Sequence, residues 1–153
     1  MQRDNSGHQH NTLTMKQKQI QKENTTLKRV LIVTAESDVN LALKVALEQV
    51  EGAHYYFKVD CFDNPVLALK NFEDSHYDLF LVDVIMPQMN GFELAEEIKR
   101  IDKNIKMGFL IAGEVPGKLR ANQLGAEEHK DKFIQLPIEN NNFLSLISTA
   151  IDS

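Results

Sequence analysis

The sequence is poor in the residues that build covalent or metal-linked frameworks, and it has no long apolar run. Its single cysteine, Cys61, excludes an internal disulfide and a zinc site made of several cysteines, and a buried thiol is favoured over a reactive one. No stretch comes near the roughly 18 consecutive apolar residues of a membrane span, and the polar amino terminus lacks the apolar core of a signal peptide. We therefore expect a cytoplasmic protein without a membrane segment.

Length and charge narrow the class of protein further. At 153 residues with 42% hydrophobic content, the chain can form one compact domain but not two ordinary ones. Residues 1–29 have a net charge of +4, from six basic and two acidic side chains (Arg3, Lys16, Lys18, Lys22, Lys28 and Arg29 against Asp4 and Glu23). Because the whole chain carries −5, residues 30–153 carry −9. Such an acidic body repels phosphates, so we expect no direct nucleic-acid binding by the domain.

Residues 1–27 differ from the rest of the chain in composition as well as in charge. Residues 1–27 are rich in Gln, Asn, Lys, Thr and His and hold few large apolar side chains. That composition buries too little surface to offset the entropy of ordering, which predicts a disordered basic polar tail. His8 and His10 lie in this tail, and we interpret them as solvated rather than as metal ligands. Residues 28–153 are then the folded domain.

Within that domain, short apolar runs alternate with segments of helical periodicity. The runs predict five strands, at residues 30–33, 55–59, 79–83, 107–112 and 133–136. Five helices are predicted between and after them. The first is capped at Ser37 or Asp38, the second starts at Asn64 and Pro65, and the third opens at Phe92. The fourth spans residues 118–124, and the last contains Phe143. The alternation predicts an α/β fold in which helices cover both faces of a parallel sheet.

The most informative stretch is 78–91, with the sequence DLFLVDVIMPQMNG. A buried strand ends here in a single carboxylate, Asp83, at the edge of the sheet where open α/β folds bind ligands. The stretch resembles the third strand and following loop of the receiver domain of two-component response regulators, because Asp83, Pro87 and Gly91 fall at that family's spacing. The resemblance covers about residues 28–153. It implies a flavodoxin-like (βα)5 doubly wound parallel sheet with strand order 2-1-3-4-5.

The resemblance also implies roles for particular residues. It places Asp83 at the phosphoacceptor position and the backbone carbonyl of Ile85 at a metal-ligand position. It places Phe133 at the position of the aromatic switch residue. The family presents one face, built from the fourth and fifth helices and the fifth strand, to a protein partner.

Several positions depart from the family's pattern. An acidic pair that supplies charge for Mg²⁺ is replaced by Thr34 and Ala35. Glu36 follows directly as a weak metal-ligand candidate; a solvated side chain beside a helix start is the favoured interpretation, because it needs no other explanation. The hydroxyl expected at the end of the fourth strand is replaced by Ile111, and the lysine expected before Pro137 is replaced by Leu136.

These losses remove the metal charge, the fixed cation and the hydroxyl readout on which most phosphoryl-transfer catalysis depends. We therefore interpret the chain as a degenerate receiver, or pseudo-receiver. It is expected to bind Mg²⁺ weakly, to need no other cofactor, and to be a weakly phosphorylated or phosphorylation-independent protein-binding module rather than an enzyme. A desolvated Asp83 without its cation is expected to have a raised pKa.

Two other functions are weighed against this one. An Asp-nucleophile phosphatase resembles a strand followed by D-x-D, but Asp83 is followed by Val84 and Ile85 without a second aspartate. A flavodoxin-like mononucleotide binder needs a phosphate-cradling loop after the first strand, and residues 34–37 contain no glycine. The expected partner is a protein, namely a histidine kinase, another receiver or a transcription factor, and the expected state is a monomer or weak homodimer.

Overall fold

The computed structural model describes residues 14–15, 26–50, 54–113 and 132–153. Within them the chain forms five strands and four helices. In chain order these are β1 Thr26–Val33, α1 Ser37–Glu48, β2 Tyr55–Phe62, α2 Pro65–Asn71, β3 Leu79–Asp83, α3 Gly91–Ile101, β4 Lys106–Ala112, β5 Phe133–Leu136 and α4 Asn140–Asp152. The helix predicted at 118–124 and most of the predicted tail lie outside the described residues.

All five strands lie parallel in one sheet of order β2-β1-β3-β4-β5. This confirms the predicted α/β class and strand order. The order places β3 at the centre, between β1 and β4, so the carboxyl ends of these three strands meet at one edge. Asp83 is the last residue of β3 and therefore lies at that edge.

Alternation along the central strands buries a core on each face of the sheet. Residues at i and i+2 of a strand share a face, so the apolar run of β3 supplies both cores. One core joins alternate strand residues to α2 and α3 (Leu31, Phe80, Val82, Ala68, Leu94 and Ile98). The other joins the intervening strand residues to α1 and α4 (Ile32, Leu79, Leu81, Leu47, Phe143 and Ile147). A rigid sheet therefore supports the edge that holds Asp83.

The structure corrects some predicted boundaries. β1 begins at Thr26, inside the predicted tail, because Thr26 and Leu27 pair with Tyr55 and Tyr56. β2 continues to Phe62, beyond the predicted residue 59, because it pairs along the whole length of β1. Polar side chains do not prevent strand formation where a neighbouring strand supplies every backbone partner.

The predicted cap of α1 is wrong. Its N-cap residue is Glu36, which makes no side-chain capping hydrogen bond, and Ser37 already lies inside the helix. Ser37 and Asp38 therefore both belong to the first turn, where Asp38 is placed favourably for the helix dipole. In α2 the prediction is confirmed, since the Asn64 side chain accepts from the amides of Val66 and Leu67.

Among the described residues, no helix is both long enough and apolar enough to cross a membrane.

Candidate functional site

The loop after β3 is anchored on both sides of an exposed residue. Val84 and Met86 are buried, whereas Ile85 between them is 50% exposed. The amide of Val84 donates to the carbonyl oxygen of Leu110 at 3.1 Å, which extends the sheet one residue beyond Asp83. The loop thus leaves the sheet with the Asp83 side chain at its edge.

Gly91 closes this loop back onto β3. Its amide donates to the carbonyl oxygen of Val84 at 2.8 Å. A Cβ atom at Gly91 would lie 2.3 Å from the carbonyl oxygen of Asp83, which is well inside van der Waals contact. Glycine is therefore required by the close approach of two backbone segments. Asn90 caps the helix that follows, in a capping box with Glu93.

Both carboxylate oxygens of Asp83 accept hydrogen bonds from the protein. The Thr34 hydroxyl donates to Oδ2 at 2.9 Å, and the amide of Ile85 donates to Oδ1 at 3.2 Å. Thr34 is fully buried and its hydroxyl oxygen also accepts from the amide of Glu36, at 3.2 Å. β1 and β3 are neighbours and Val33 pairs in register with Val82, so the residues that follow, Thr34 and Asp83, lie side by side. Thr34 thus links β3 to the start of α1.

Burial raises the pKa of Asp83 above its ordinary value. The hydrogen bonds from Thr34 and Ile85 oppose that rise, because they stabilise the charged form, and the nearby carboxylate of Glu36 adds to it. The raised pKa agrees with the expectation from the sequence. Among the described residues, no hydrogen bond or salt bridge joins a basic side chain to Asp83.

The residues present do not fit a magnesium site of the usual kind. Mg²⁺ prefers octahedral oxygen ligands that include one or two carboxylates. Ala35 has no ligand atom, and the Thr34 hydroxyl is already bonded to Asp83. Glu36 is exposed and makes no side-chain contact to Asp83 among the described hydrogen bonds. In the described part of the chain, no three His, Cys, Asp or Glu side chains cluster to hold a metal ion.

The neighbouring strand ends are apolar at the positions that the sequence singled out. Ile111 is buried in the core that contains α2 and α3. Leu136 packs against the opposite core and pairs in register with Ala112, one residue beyond Ile111. The structure therefore brings Ile111 and Leu136 to the same edge as Asp83. Neither side chain can donate a hydrogen bond to a phosphoryl oxygen.

Phe133 packs inward. Its ring centroid lies 6.0 Å from that of Phe109 and 6.1 Å from that of Phe92, in an edge-to-face arrangement with the latter. Phe92 and Phe109 are themselves 5.0 Å apart. The three rings join β5, β4 and α3 into one cluster, and such contacts stabilise aromatic pairs beyond their area burial.

Two polar residues that the sequence analysis did not single out also shape this edge. Asn40 is buried on α1, and its side-chain amide donates to the carbonyl oxygens of Thr34 and Phe62 at 3.0 and 3.1 Å. The Gln135 amide contacts carbonyls at the ends of β4 and β5. Asn40 could have been found from the sequence, because it is a polar residue on the apolar face of a predicted helix. Beside it, Cys61 is half-buried and burial raises its pKa, which agrees with an unreactive thiol.

A family model described as the response regulator receiver domain matches residues 30–147. The chain belongs to this family. Members are signal transducers that typically bind Mg²⁺ at an acidic pocket and that interact with histidine kinases and other proteins. This confirms the resemblance on which the roles of the site residues were based.

Curated relatives agree with the assignment. The chain is 34% identical over 84 residues to the response regulator receiver protein CpdR of Brucella abortus, covering 55% of this chain and 66% of that one. It is 30% identical over 102 residues to the transcriptional regulatory protein CpxR homolog of Haemophilus influenzae, covering 67% and 42%. The chain thus spans less than two thirds of the length of these relatives.

Solved receiver structures share the fold. The non-phosphorylated HemR receiver domain from Leptospira biflexa superposes with a TM-score of 0.67 at 26% identity, covering 82% of this chain and 95% of that one. The BeF3-activated DrrB receiver domain has the same TM-score of 0.67 at 15% identity, covering 84% and 100%. Both superpositions show that the chain has the receiver fold.

Proposed function

We propose that this chain is a pseudo-receiver of two-component signal transduction that binds a protein partner with little or no dependence on phosphorylation. The observation that carries the proposal is the hydrogen bond between Thr34 and Asp83. Where the family uses an acidic residue to attract Mg²⁺, this chain places a hydroxyl that occupies one carboxylate oxygen of the phosphoacceptor candidate.

Electrostatics at Asp83 support this proposal. Phosphorylating a carboxylate gathers negative charge, which a divalent cation and a fixed positive group must offset. Glu36 is the other nearby carboxylate, and the lysine position holds Leu136. Among the described residues the candidate ligands are Asp83, Glu36 and the Ile85 carbonyl, so Mg²⁺ binding is expected to be weak.

The two strand ends next to Asp83 support the proposal that partner binding depends little on phosphorylation. A phosphoryl group on Asp83 would meet Ile111 and Leu136, which offer no hydrogen bond. Phe133 is already packed inward against two other rings. A site with fewer charges also avoids the mutual repulsion of close carboxylates. We therefore infer a closed site and a partner-binding face that keeps one arrangement.

Output through a protein partner follows from the same features. We infer that the domain has no enzymatic activity of its own and that it is cytoplasmic, as a monomer or weak homodimer. Its partner is a histidine kinase, another receiver or a transcription factor. The charge of −9 over residues 30–153 disfavours direct contact with nucleic acid.

The experiment that tests the proposal is phosphorylation by a small-molecule donor, followed by intact mass. Wild type, Asp83→Asn and a restored variant (Thr34→Asp, Ala35→Asp, Ile111→Thr and Leu136→Lys) are incubated with a phosphodonor and millimolar Mg²⁺. We expect an added phosphoryl mass in the restored variant and little or none in the wild type. An Asp83-dependent phosphoryl mass in the wild type that matches the restored variant would overturn the proposal. Circular dichroism of the restored variant checks that it is folded.

A further inference from the structure

The side chain of Gln135 joins the carboxyl ends of β4 and β5. Its amide nitrogen Nε2 donates to the carbonyl oxygen of Ile111 at 3.1 Å and to that of Gly113 at 3.2 Å, both on the β4 side. It also lies 3.2 Å from the carbonyl oxygen of Leu136, on its own strand. The amide has only two hydrogens, so one of the three contacts shares a hydrogen with another.

These bonds lie where the sheet ends. Gln135 is paired in register with Ile111, and the last pair of the ladder is Ala112 with Leu136. Gly113 comes next and turns the chain away with a φ of +87°, a conformation that favours glycine. The carbonyl of Gly113 has therefore left the regular ladder, and the Gln135 side chain supplies it with a donor.

We propose that Gln135 is a clamp that holds the carboxyl ends of β4 and β5 together without any phosphoryl group. The proposal rests on the proposed function and deepens it, because it identifies what fixes this edge of the sheet. Ile111 and Leu136 stand at the two positions from which the family contacts a phosphoryl group. In this chain Gln135 links those two strand ends. It is paired in register with Ile111 and directly precedes Leu136.

The clamp acts on the aromatic cluster through the strands. Phe133 lies two residues before Gln135 on β5, and it is paired in register with Phe109 of β4. Any separation of the strand ends would therefore loosen the packing between these two rings, whose centroids are 6.0 Å apart. Gln135 is thus a positioning residue for Phe133.

The test measures local opening by amide hydrogen exchange on the full chain, without a phosphodonor. Gln135→Met keeps the length of the side chain but removes both donors and adds no charge. Gln49→Met is the matched control, because Gln49 is an exposed residue at the end of α1. We expect exchange at Ala112 and Gly113 to become about 2- to 10-fold faster in Gln135→Met, as the loss of a net hydrogen bond or two predicts. Amides of Ile32 and Leu81 in the sheet centre should keep their rates, which shows that the fold is intact.

Equal exchange at Ala112 and Gly113 in Gln135→Met and wild type would overturn the clamp. A second variant, Gln135→Glu, places a carboxylate against the same three carbonyls and should accelerate exchange further; a rate no faster than wild type would also contradict the proposal. The outcome is separable from the proposed function. Repeating the wild-type measurement with beryllofluoride and Mg²⁺ tests phosphate dependence, whereas the comparison of variants without them tests only the clamp.

Discussion

In the folded protein the ionised carboxylate of Asp83 is stabilised less than it would be in water. Burial raises its pKa, and the two hydrogen bonds from Thr34 and Ile85 offset that rise in part. At neutral pH the carboxylate is therefore a cost to folding. In the proposed pseudo-receiver, this carboxylate is the phosphoacceptor candidate, and the cost of ionising it is the central chemical feature of the site.

Replacement of Asp83 by asparagine should stabilise the protein at neutral pH. The pKa is higher in the folded state than its ordinary value of 3.8, so the folded state binds more protons between those two pKa values, and stability falls as pH rises through that window. Asp83→Asn removes this effect, and we expect a small gain in the free energy of unfolding, since solvent still reaches the group. Urea unfolding at neutral pH measures it.

The gain should shrink as the pH is lowered toward the ordinary pKa, because wild-type Asp83 then becomes protonated as well. Asp63→Asn serves as the control, since Asp63 is exposed and should change stability by no more than about 0.5 kcal/mol at any pH. A loss of stability in Asp83→Asn at neutral pH, or a gain that does not vary with pH, would contradict this interpretation.

Thr34 holds Asp83 in its charged form. Thr34→Val keeps the shape of this buried side chain but removes the hydroxyl, so the pKa of Asp83 should rise further and the protein should lose about 1 kcal/mol of stability at neutral pH. Carbon-detected NMR titration of the Asp83 carboxyl measures the pKa. Thr149→Val, at an exposed position of α4, is the control. An Asp83 titration that is the same in both variants would show that the hydroxyl contributes nothing.

At the scale of secondary structure, the start of α3 determines how the loop after β3 closes. Asn90 caps the helix and Gly91 lets the backbone approach β3. In the sequence, Gly91 stood out only by its spacing from Asp83 and Pro87. Both roles depend on the distance between the loop and β3, which is a property of the folded chain.

Gly91→Ala should destabilise the protein by about 2–3 kcal/mol, near the upper end of ordinary point substitutions, because the new methyl group meets the backbone of Asp83. Gly113→Ala is the comparison. It has a positive φ but open space around it, so we expect a smaller loss of about 1 kcal/mol. Urea unfolding of both variants measures the difference. Equal losses would mean that the contact at Gly91 relaxes without cost.

The strands of the sheet could be predicted from the sequence because each is a short apolar run, and β3 at 79–83 was predicted with the observed bounds. The polar ends of β1 and β2 were missed, because Thr26 becomes a strand residue only through pairing with Tyr55. The resemblance to the receiver family marked Thr34 as the replacement of an acidic residue. That its hydroxyl bonds Asp83, which is 49 residues away, requires knowing that β1 and β3 are neighbours in register.

For the whole molecule, the features add up to a receiver whose site is satisfied by its own side chains. Thr34 bonds Asp83, Asn40 bonds the end of β1, and Gln135 bonds the end of β4. The chain has the receiver family's sheet, and our proposal is that the groups that would sense a phosphoryl oxygen have been replaced. The expected consequence is that the edge of the sheet keeps the same arrangement whatever the phosphorylation conditions.

The most direct test of this account is an NMR comparison of the wild-type chain with and without beryllofluoride at millimolar Mg²⁺, with Asp83→Asn recorded alongside and the restored variant as the responding control. The amides of β4 and β5 and the ring of Phe133 report on the sheet edge. We predict that these resonances coincide in the wild type under both conditions, while those of the restored variant shift. A shift of the Phe133 ring in the wild type that is lost in Asp83→Asn would contradict the account, because it would show that Asp83 still drives the output face.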